Sequence, residues 1–538
     1  MKTLYDALCR AAETHGDRPF LCVPPRARRD YLPDGAELTF GQMKETVDRL
    51  AAIWSKAGWG RGHRVALAFD NHPLHIAQFL ALNSIGAAQV PINPYYLSHE
   101  LDYLLSHSRS DAVAGLSANA ARVTEVSDLP FAVLDDAAGI DGFAAPPAPR
   151  TPLEDAPGRD MAIAIIYTSG TTSRPKGVVI DNEYAFAVGR CYAEHNGRLA
   201  VRDGEERIFV PLPFFHVNAG VNTITMALLK GVCLIVPDRF HAETWWEDID
   251  ATRATAFHYL GIIPPILMKT APSPRDRAHG LRYGLGAGLD PALHRAFEER
   301  FGVPMVEVWG MSETGRFLAD CHEPRQIDTR AFGRPMSDHL EAKVVDENDR
   351  EVSRGSVGEL VVRAPGPDPR QGFFVGYLDD EPATEAAWRG GWFHTGDVVT
   401  QGQDDMLCFV ERNKNIIRRS GENISAAEVE NALIECGQVR QVAVIGVTDE
   451  MRDEEVFACI VPDADHPATL DTALAILNGV RGRLAYYKVP GWIAFRDSLP
   501  VTGTQKVQKH RLYEPGDDPR AAAFDLREAK AGFRRKAS

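Results

Sequence analysis

The stretch Tyr167-Thr-Ser-Gly-Thr-Thr-Ser-Arg-Pro-Lys-Gly-Val-Val-Ile180 leaves few folds open. The apolar run Met161-Ala-Ile-Ala-Ile-Ile166 leads into it and Val178-Val-Ile180 leads out, so the pattern is strand, loop, strand. The loop carries Thr168, Ser169, Thr171, Thr172 and Ser173, the glycines Gly170 and Gly177, and Lys176. Glycine can take φ > 0 and lets backbone N–H groups face an anion with no Cβ between them. Hydroxyls add donors, and the lysine adds a point charge. Such a composition suits a polyphosphate. It is not a Walker A loop, in which Gly-Lys is followed by Ser or Thr and a helix; here Lys176-Gly177 runs into a strand. An ordinary Ser/Thr/Gly hairpin has no need of five hydroxyls, two glycines and Pro175-Lys176-Gly177 packed together.

The rest of the chain reads as an α/β protein. Strands at 65–69 and 88–92 alternate with helices at 74–85 and 98–106, the second with Ser98 as its N-cap. This alternation predicts a parallel sheet covered on both faces. Residues 144–157 carry five prolines and read as a linker. Val357-Gly-Glu-Leu-Val-Val-Arg363 is a strand of a β-rich subdomain. Residues 426–513 read helix, strand, strand, helix, strand, a small α+β unit whose clearest strands are 442–446 and 457–461. The expected division is 1–411 for a large N-terminal domain, 412–415 for a hinge, 416–517 for a small mobile C-terminal domain, and 518–538 for a tail, either a solvated helix or frayed.

Composition excludes several classes. A net charge of −15 argues against a nucleic-acid partner. No apolar run approaches the ~20 residues of a membrane span. The eight cysteines are dispersed with no Cys-x-x-Cys pair, which speaks against a zinc cluster or disulfide framework and fits a reducing cytoplasm. The first ten residues have mixed charge instead of a signal peptide's apolar core, and the chain does not finish on Ser-Lys-Leu.

Further motifs follow in order. Pro211-Leu-Pro-Phe-Phe-His-Val-Asn-Ala-Gly220 sets His216 among apolar residues, where a histidine is more often a satisfied core residue than a catalytic one. Asn218 and Asn222, four apart, can share one helical face, either lining a pocket or facing solvent. Gly284-Leu-Gly-Ala-Gly-Leu-Asp-Pro291 is a glycine-rich loop, in itself a weak signal. Val306-Glu-Val-Trp-Gly-Met-Ser-Glu-Thr-Gly315 places a carboxylate, Glu313, after Trp309 and Gly310. Gly391-Trp-Phe-His-Thr-Gly-Asp397 offers His394 and Asp397, with no third ligand nearby to make a metal site. The charged crossover Phe409-Val-Glu-Arg-Asn-Lys-Asn-Ile-Ile-Arg-Arg-Ser-Gly-Glu-Asn-Ile-Ser425 has the composition of a domain boundary. Leu499-Pro-Val-Thr-Gly-Thr-Gln-Lys-Val-Gln-Lys509 closes the series.

Taken together, these motifs resemble, in the same order, those of the adenylate-forming superfamily of acyl-CoA synthetases, peptide-synthetase adenylation domains and luciferases. Phe215-His-Val-Asn218, Phe257-His-Tyr-Leu-Gly261 and Asn415-Ile-Ile-Arg-Arg-Ser-Gly-Glu-Asn423 are most similar to stand-alone ligases of the crotonobetaine/carnitine–CoA type. The resemblance implies ATP, Mg²⁺ and CoA, with a small-molecule carboxylate as substrate. It implies that Thr168, Ser169, Gly170, Thr171, Thr172 and Lys176 bind phosphate, and that Glu313, with Thr168, holds the metal. Trp309 would offer a π face to adenine, Ser312 a hydroxyl to the α-phosphate, and Gly286, Ala287 and Gly288 close approach along the adenine and acyl pocket. Asp397 and Arg412 would bind ribose, Lys414 would be the hinge, and His216 would stand beside the acyl carboxylate. Lys506 takes the catalytic place, and Gly421 would leave room for pantetheine. The chain departs from the family pattern at Ser312, Asn415 and Gln505, where Thr, an acid and Gly are usual.

Three alternatives stay open: transfer of the adenylate to an amine or carrier protein, activation of nitrite in the manner of a diazotase, and a nucleotide-sensing protein without catalysis. No carrier motif follows residue 517, and Lys176, Glu313, Asp397, Arg412 and Lys506 are all present, against the last of these. A homodimer is neither indicated nor excluded.

Overall fold

A computed structural model describes the chain except for residues 27–28, 136–138, 169–174, 337, 413–415, 501–506, 508, 510–511, 514–516 and 534–538, and except for the side chains of 411, 412, 416, 423 and 427. The chain divides into two compact units, Met1–Tyr167 with Gly177–Glu411, and Thr168–Lys176 with Arg412–Ser538.

The larger unit is built on three sheets. The first has seven strands in the order Gly376–Tyr377, Lys176–Asp181, Ala162–Thr168, Ala88–Pro91, Arg64–Ala68, Ala112–Gly115, Phe131–Val133. Arg64–Ala68 pairs in parallel with both neighbours, Val65 opposite Gln89 on one side and Ala112 on the other. The helix Pro73–Ile85 shows why this part is a covered α/β layer. His72 Nδ1 accepts from the Leu74 N–H at 3.1 Å, Pro73 takes the first helical position, and Gly86 ends the helix at φ 87. Residues Ile76 to Asn83 are all buried, so the helix is covered all round instead of along one stripe.

The second sheet has eight strands, Phe317–Ala319, Met305–Gly310, Tyr283–Ala287, Ala256–Leu260, Arg207–Phe209, Cys233–Ile235, Pro19–Val23 and Ala36–Thr39, parallel through its middle. The third is five-stranded, with Phe393–Gln401 and Glu341–Val345 antiparallel to Val357–Arg363. This is the β-rich part that residues 357–363 announced. Residues 144–157 cross the surface without regular structure, fixed by the Ala148 N–H on Ala57 O at 2.8 Å and the Leu153 N–H on Arg61 O at 3.0 Å.

The smaller unit carries a six-stranded sheet centred on the hairpin Val439–Asp449 and Asp453–Pro462, with Trp492–Phe495 parallel to the second strand. Its helices are Ala426–Ile434, Leu470–Gly479 and Arg527–Ala531.

Two sequence expectations change. The helix at 98–107 is capped by Leu97, not Ser98: Glu100 reaches back so that Oε2 accepts from the Leu97 N–H at 2.8 Å, which makes Ser98 the first helical residue. Residues 519–531 include the expected helix, Arg527–Ala531, but the segment is not simply solvated. Phe524–Asp525 pairs antiparallel with Trp492 and Ile493, and Leu526 and Lys530 are buried. Its mixed charge and alanine content hid the contacts that fold it.

Candidate active site

The ends of strands supply the candidate residues. Thr168 ends the Ala162–Thr168 strand and Lys176 opens the next. Ser169, Gly170, Thr171 and Thr172 lie outside the described residues. Gly177 does not use φ > 0 as the sequence suggested. It lies within a strand, where a Cβ would come 3.0 Å from Ile165 Cγ2, so close packing selects the glycine.

Glu313 follows the Met305–Gly310 strand, beside Ser312 in a turn tied by Thr314, whose hydroxyl donates to Arg316 O at 2.8 Å. Gly315 has φ 58, and a Cβ there would lie 2.1 Å from Gly372 O, so only glycine fits. The Phe374 N–H donates to Glu313 O at 2.9 Å. The Tyr377 hydroxyl donates to Glu313 Oε1 at 2.9 Å. The carboxylate is therefore buried, at 7% exposure, yet aimed by a named donor. Burial and the Glu313 charge push the Tyr377 hydroxyl far above its ordinary range, so it stays protonated and donates.

Asp397 is fully buried. It sits past a bulge: the register of Val357–Arg363 against Phe393–Gln401 shifts between Glu359 and Val361, and Gly396 takes φ 69. Glu359 holds this bend, accepting from the Gly396 N–H at 2.9 Å and meeting His394 Nδ1 at 3.0 Å. Burial works against the Glu359 charge, but these bonds outweigh it and hold the carboxyl below its usual range. His394 is thus part of the bend's support. The Asp397 N–H donates to Thr395 Oγ1 at 3.1 Å, and the Trp309 indole N–H donates to Asp397 Oδ2 at 2.8 Å. Trp309 itself is buried with its ring 6.1 Å from that of Phe332.

His216 leads into a widened helical segment. Residues Asn218–Thr223 are helical, as the spacing of Asn218 and Asn222 suggested, but they wind as a π-helical turn. Gly220 permits it, since a Cβ would fall 2.0 Å from Phe214 O. Burial alone pushes the His216 imidazole down to about 4. Along the neighbouring strand end, Gly286 has no room for a side chain, with Tyr259 O 2.2 Å from an added Cβ, and Gly288 takes φ 86. Ala287 ends that strand, and Gly310 ends the next. Glu307 ties this loop down: it accepts from the Gly288 N–H at 2.9 Å, the Leu289 N–H at 3.3 Å and the Tyr259 hydroxyl. Burial raises its carboxyl to about 7.

In the smaller unit, Ser420 (φ 54) and Gly421 (φ 87) make the turn between Ile416–Arg419 and Glu422–Ser425. Two successive positive φ values are those of a type I′ hairpin turn. Arg412 ends the Leu407–Arg412 strand, with its side chain undescribed. Lys414 and Lys506 lie outside the described residues. Among the described residues no group of three His, Cys, Asp or Glu is placed to hold a metal by itself.

The family model for AMP-binding enzymes matches residues 8–378, and that for the AMP-binding enzyme C-terminal domain matches 428–506. The chain belongs to the AMP-binding enzyme family. Among its relatives, the crotonobetaine/carnitine–CoA ligase of Salmonella paratyphi A is 30% identical over 499 residues, covering 88% of this chain and 93% of the relative. Among solved structures, o-succinylbenzoate CoA synthetase from Bacillus subtilis superposes with a TM-score of 0.78 at 21% identity, over 95% of this chain and 98% of that one. The amide bond synthetase McbA from Marinactinospora thermotolerans gives 0.76 at 25%, with the same coverage.

For an AMP-binding enzyme, the structure adds residues that sequence motifs pass over. Tyr377 lies 64 positions from Glu313, and Glu359 lies 37 from Gly396. No spacing links such partners; only the fold brings them together. Glu307 stood inside a quoted motif, but nothing in the string says that its carboxyl turns back onto the Gly288 loop. The indole of Trp309 was read for its face, and its N–H is what the fold uses.

Proposed function

We propose that the protein is an ATP-dependent carboxylate–CoA ligase that works through an acyl-adenylate. The observation that carries this reading is the likeness to a crotonobetaine/carnitine–CoA ligase across both family segments. The buried, oriented carboxylates Glu313 and Asp397 support it.

In the first step an oxygen of the acid attacks the α-phosphate of ATP, the bond to the β-phosphate oxygen breaks, and pyrophosphate leaves. Both reactants are anions, so their repulsion has to be offset. Lys506 supplies one positive charge and the loop from Thr168 to Lys176 supplies donors. Glu313 fits a magnesium ion, which takes one or two carboxylates together with phosphate oxygens, and Thr168 would add a hydroxyl. When bound, that ion offsets phosphate charge. Asp397, held by Trp309 and the Gly396 bend, accepts from the ribose hydroxyls together with Arg412. His216, neutral near pH 7, offers the acid a hydrogen bond without an ion pair. In the second step the C-terminal unit turns about Lys414, withdraws Lys506 and presents the Gly421 turn to pantetheine. The thiol sulfur then attacks the acyl carbon, the bond to the phosphate oxygen breaks, and AMP leaves as the thiol proton passes to solvent. All eight cysteines are free, which suits a cytoplasmic enzyme. Among the described residues no helix is long and apolar enough to cross a membrane.

The test is pyrophosphate release from ATP across a panel of short, branched, aromatic and trimethylammonium-bearing acids, each with CoA, with an amine, or with nitrite in place of the acid. Acid-dependent release with a thioester as product is expected. Turnover with an amine or with nitrite, and none with CoA, would replace the ligase reading by one of those transfers.

A further inference from the structure

Among the described residues of the smaller unit, Glu455 is the most enclosed acid. It has no exposed surface, and its two partners Arg419 and Lys530 are 3% and 2% exposed. Arg419 Nε lies 2.8 and 2.9 Å from its two oxygens, and Lys530 Nζ lies 2.5 Å from Oε1 and 3.3 Å from Tyr487 O. Space for the carboxylate is made by Gly491, where a Cβ would fall 2.5 Å from Glu455 Cγ. Gly446 does the same for Glu454, with an added Cβ 2.7 Å from that carboxyl carbon. Glu454 Oε2 in turn accepts from the Arg418 N–H at 2.6 Å. The strand Asp453–Pro462 thus sends two consecutive acids to two consecutive residues, Arg418 and Arg419. Those residues lead directly into the Ser420–Gly421 turn. The Ser420 N–H is held as well, by Arg452 O at 3.0 Å.

On the far side of Glu455 stands the end of the chain. Leu526 is buried and its N–H donates to Gly491 O at 2.9 Å. Arg527 lies 4.7 Å over the Trp492 ring and 3.2 Å from Asp449. The three buried ions carry one positive charge in excess. Burial, followed by the Arg419 charge, pushes the Lys530 amine down to about 7 against the pull of Glu455. Such a cluster is a poor source of stability, because desolvation opposes the attraction, whereas loss of one partner is costly. Its effect is to fix geometry.

We propose that residues 524–531 form a strap that sets the Ser420–Gly421 turn for thioester formation, with Lys530 and Glu455 as positioning residues acting through Arg419. The proposal rests on the reading above in which Gly421 borders the pantetheine path, and goes beyond it by giving the C-terminal segment a part in the second half-reaction.

The experiment uses the full-length enzyme and four variants. Hydrogen–deuterium exchange of peptides spanning 417–424 needs no substrate. In Lys530→Met that segment should exchange about tenfold faster than in the wild type, as expected when a buried ion partner is removed. Single-turnover kinetics then use the adenylate of the panel acid that gives the fastest pyrophosphate release. Lys530→Met should lower its conversion by CoA about tenfold and raise KM for CoA, with adenylation within about twofold, because a misplaced positioning loop costs rate only in the step it serves. Lys530→Arg should restore most of the loss. If Lys530→Met does not fold, Arg527→Ala, at a half-exposed position, should show a smaller loss in the same half-reaction. Unchanged exchange at 417–424, or equal loss of both half-reactions, would overturn the strap. Gly421→Leu separates the two ideas. If it blocks thioester formation while Lys530→Met does not, the turn is read correctly and the strap is wrong. If it leaves thioester formation intact, the reading of the turn fails.

Discussion

Glu313 and Asp397 in the larger unit and Glu455 in the smaller one are all buried carboxylates, yet different partners hold them. Tyr377 donates a neutral O–H to Glu313, and Trp309 donates a neutral N–H to Asp397. Glu455 is gripped by a guanidinium and an ammonium. A neutral donor fixes where a carboxylate points without itself cancelling the charge. A cationic donor cancels the charge, and the acid becomes a joint between elements. The contrast sets two acids aimed by neutral donors, proposed above to meet ATP and its metal, beside one joined to two cations, although all three are at most 7% exposed.

The comparison breaks first at Glu313. Glu313→Gln keeps an acceptor for Tyr377 and removes only the charge. If that charge serves a metal clamp, adenylation should fall by several powers of ten with folding intact, about 4 kcal/mol or more of transition-state stabilisation. Pyrophosphate release near the wild-type rate would place Glu313 among structural acids. Glu455 should respond in the opposite sense. Glu455→Gln leaves the buried Arg419 without its carboxylate and should cost about 3–5 kcal/mol in urea unfolding. A loss of activity with unchanged stability would erase the distinction.

Smaller effects sharpen it. Asp397→Ala should weaken ATP at least about tenfold, since bonds to a charged acceptor contribute roughly 1.5–3 kcal/mol. Trp309→Phe keeps a ring and deletes the N–H, and should raise KM for ATP by about three- to tenfold with kcat little changed. That penalty should vanish with 2′,3′-dideoxy-ATP, because Asp397 then has no ribose hydroxyl to meet. If the penalty is the same for both nucleotides, Trp309 acts on adenine alone and not through Asp397.

Much of this fold was legible because it follows local rules. Alternating strands and helices at 64–115, the β-rich run at 357–363 and the helix–strand order after 426 rest on periodicity and on short-range caps. What was not legible depends on partners distant in the chain. Residues 524–531 look like a polar tail until Trp492 and Glu455 are placed against them. The π turn at 218–223 follows from Gly220 lying against Phe214 O, a contact that no period reveals. The motifs named Glu313, Asp397 and His216; they did not name Tyr377, Glu359 or Glu307, which decide how the loops around the candidate site stand.

His216 gives the smallest effect, and its test asks whether the imidazole proposed to meet the acid acts as a neutral donor. A cationic histidine would clamp the acid's carboxylate as an ion pair. Its contribution would then be present below its pKa and lost as pH rises through it, normally near 6.5. Burial instead pushes this imidazole down to about 4, so it takes up a proton only as pH falls toward that value and is neutral throughout pH 5.5–8. A neutral imidazole supplies one donor and one acceptor. Loss of a single such bond in His216→Phe should lower kcat/KM for the acid by about two- to tenfold. The ratio of wild-type to variant kcat/KM should stay constant from pH 5.5 to 8, because the wild-type residue does not change charge in that window. A ratio that declines toward unity as pH rises through 6.5 would show a protonated His216 at work, and the larger unit would then use a cation where the structure places a neutral donor.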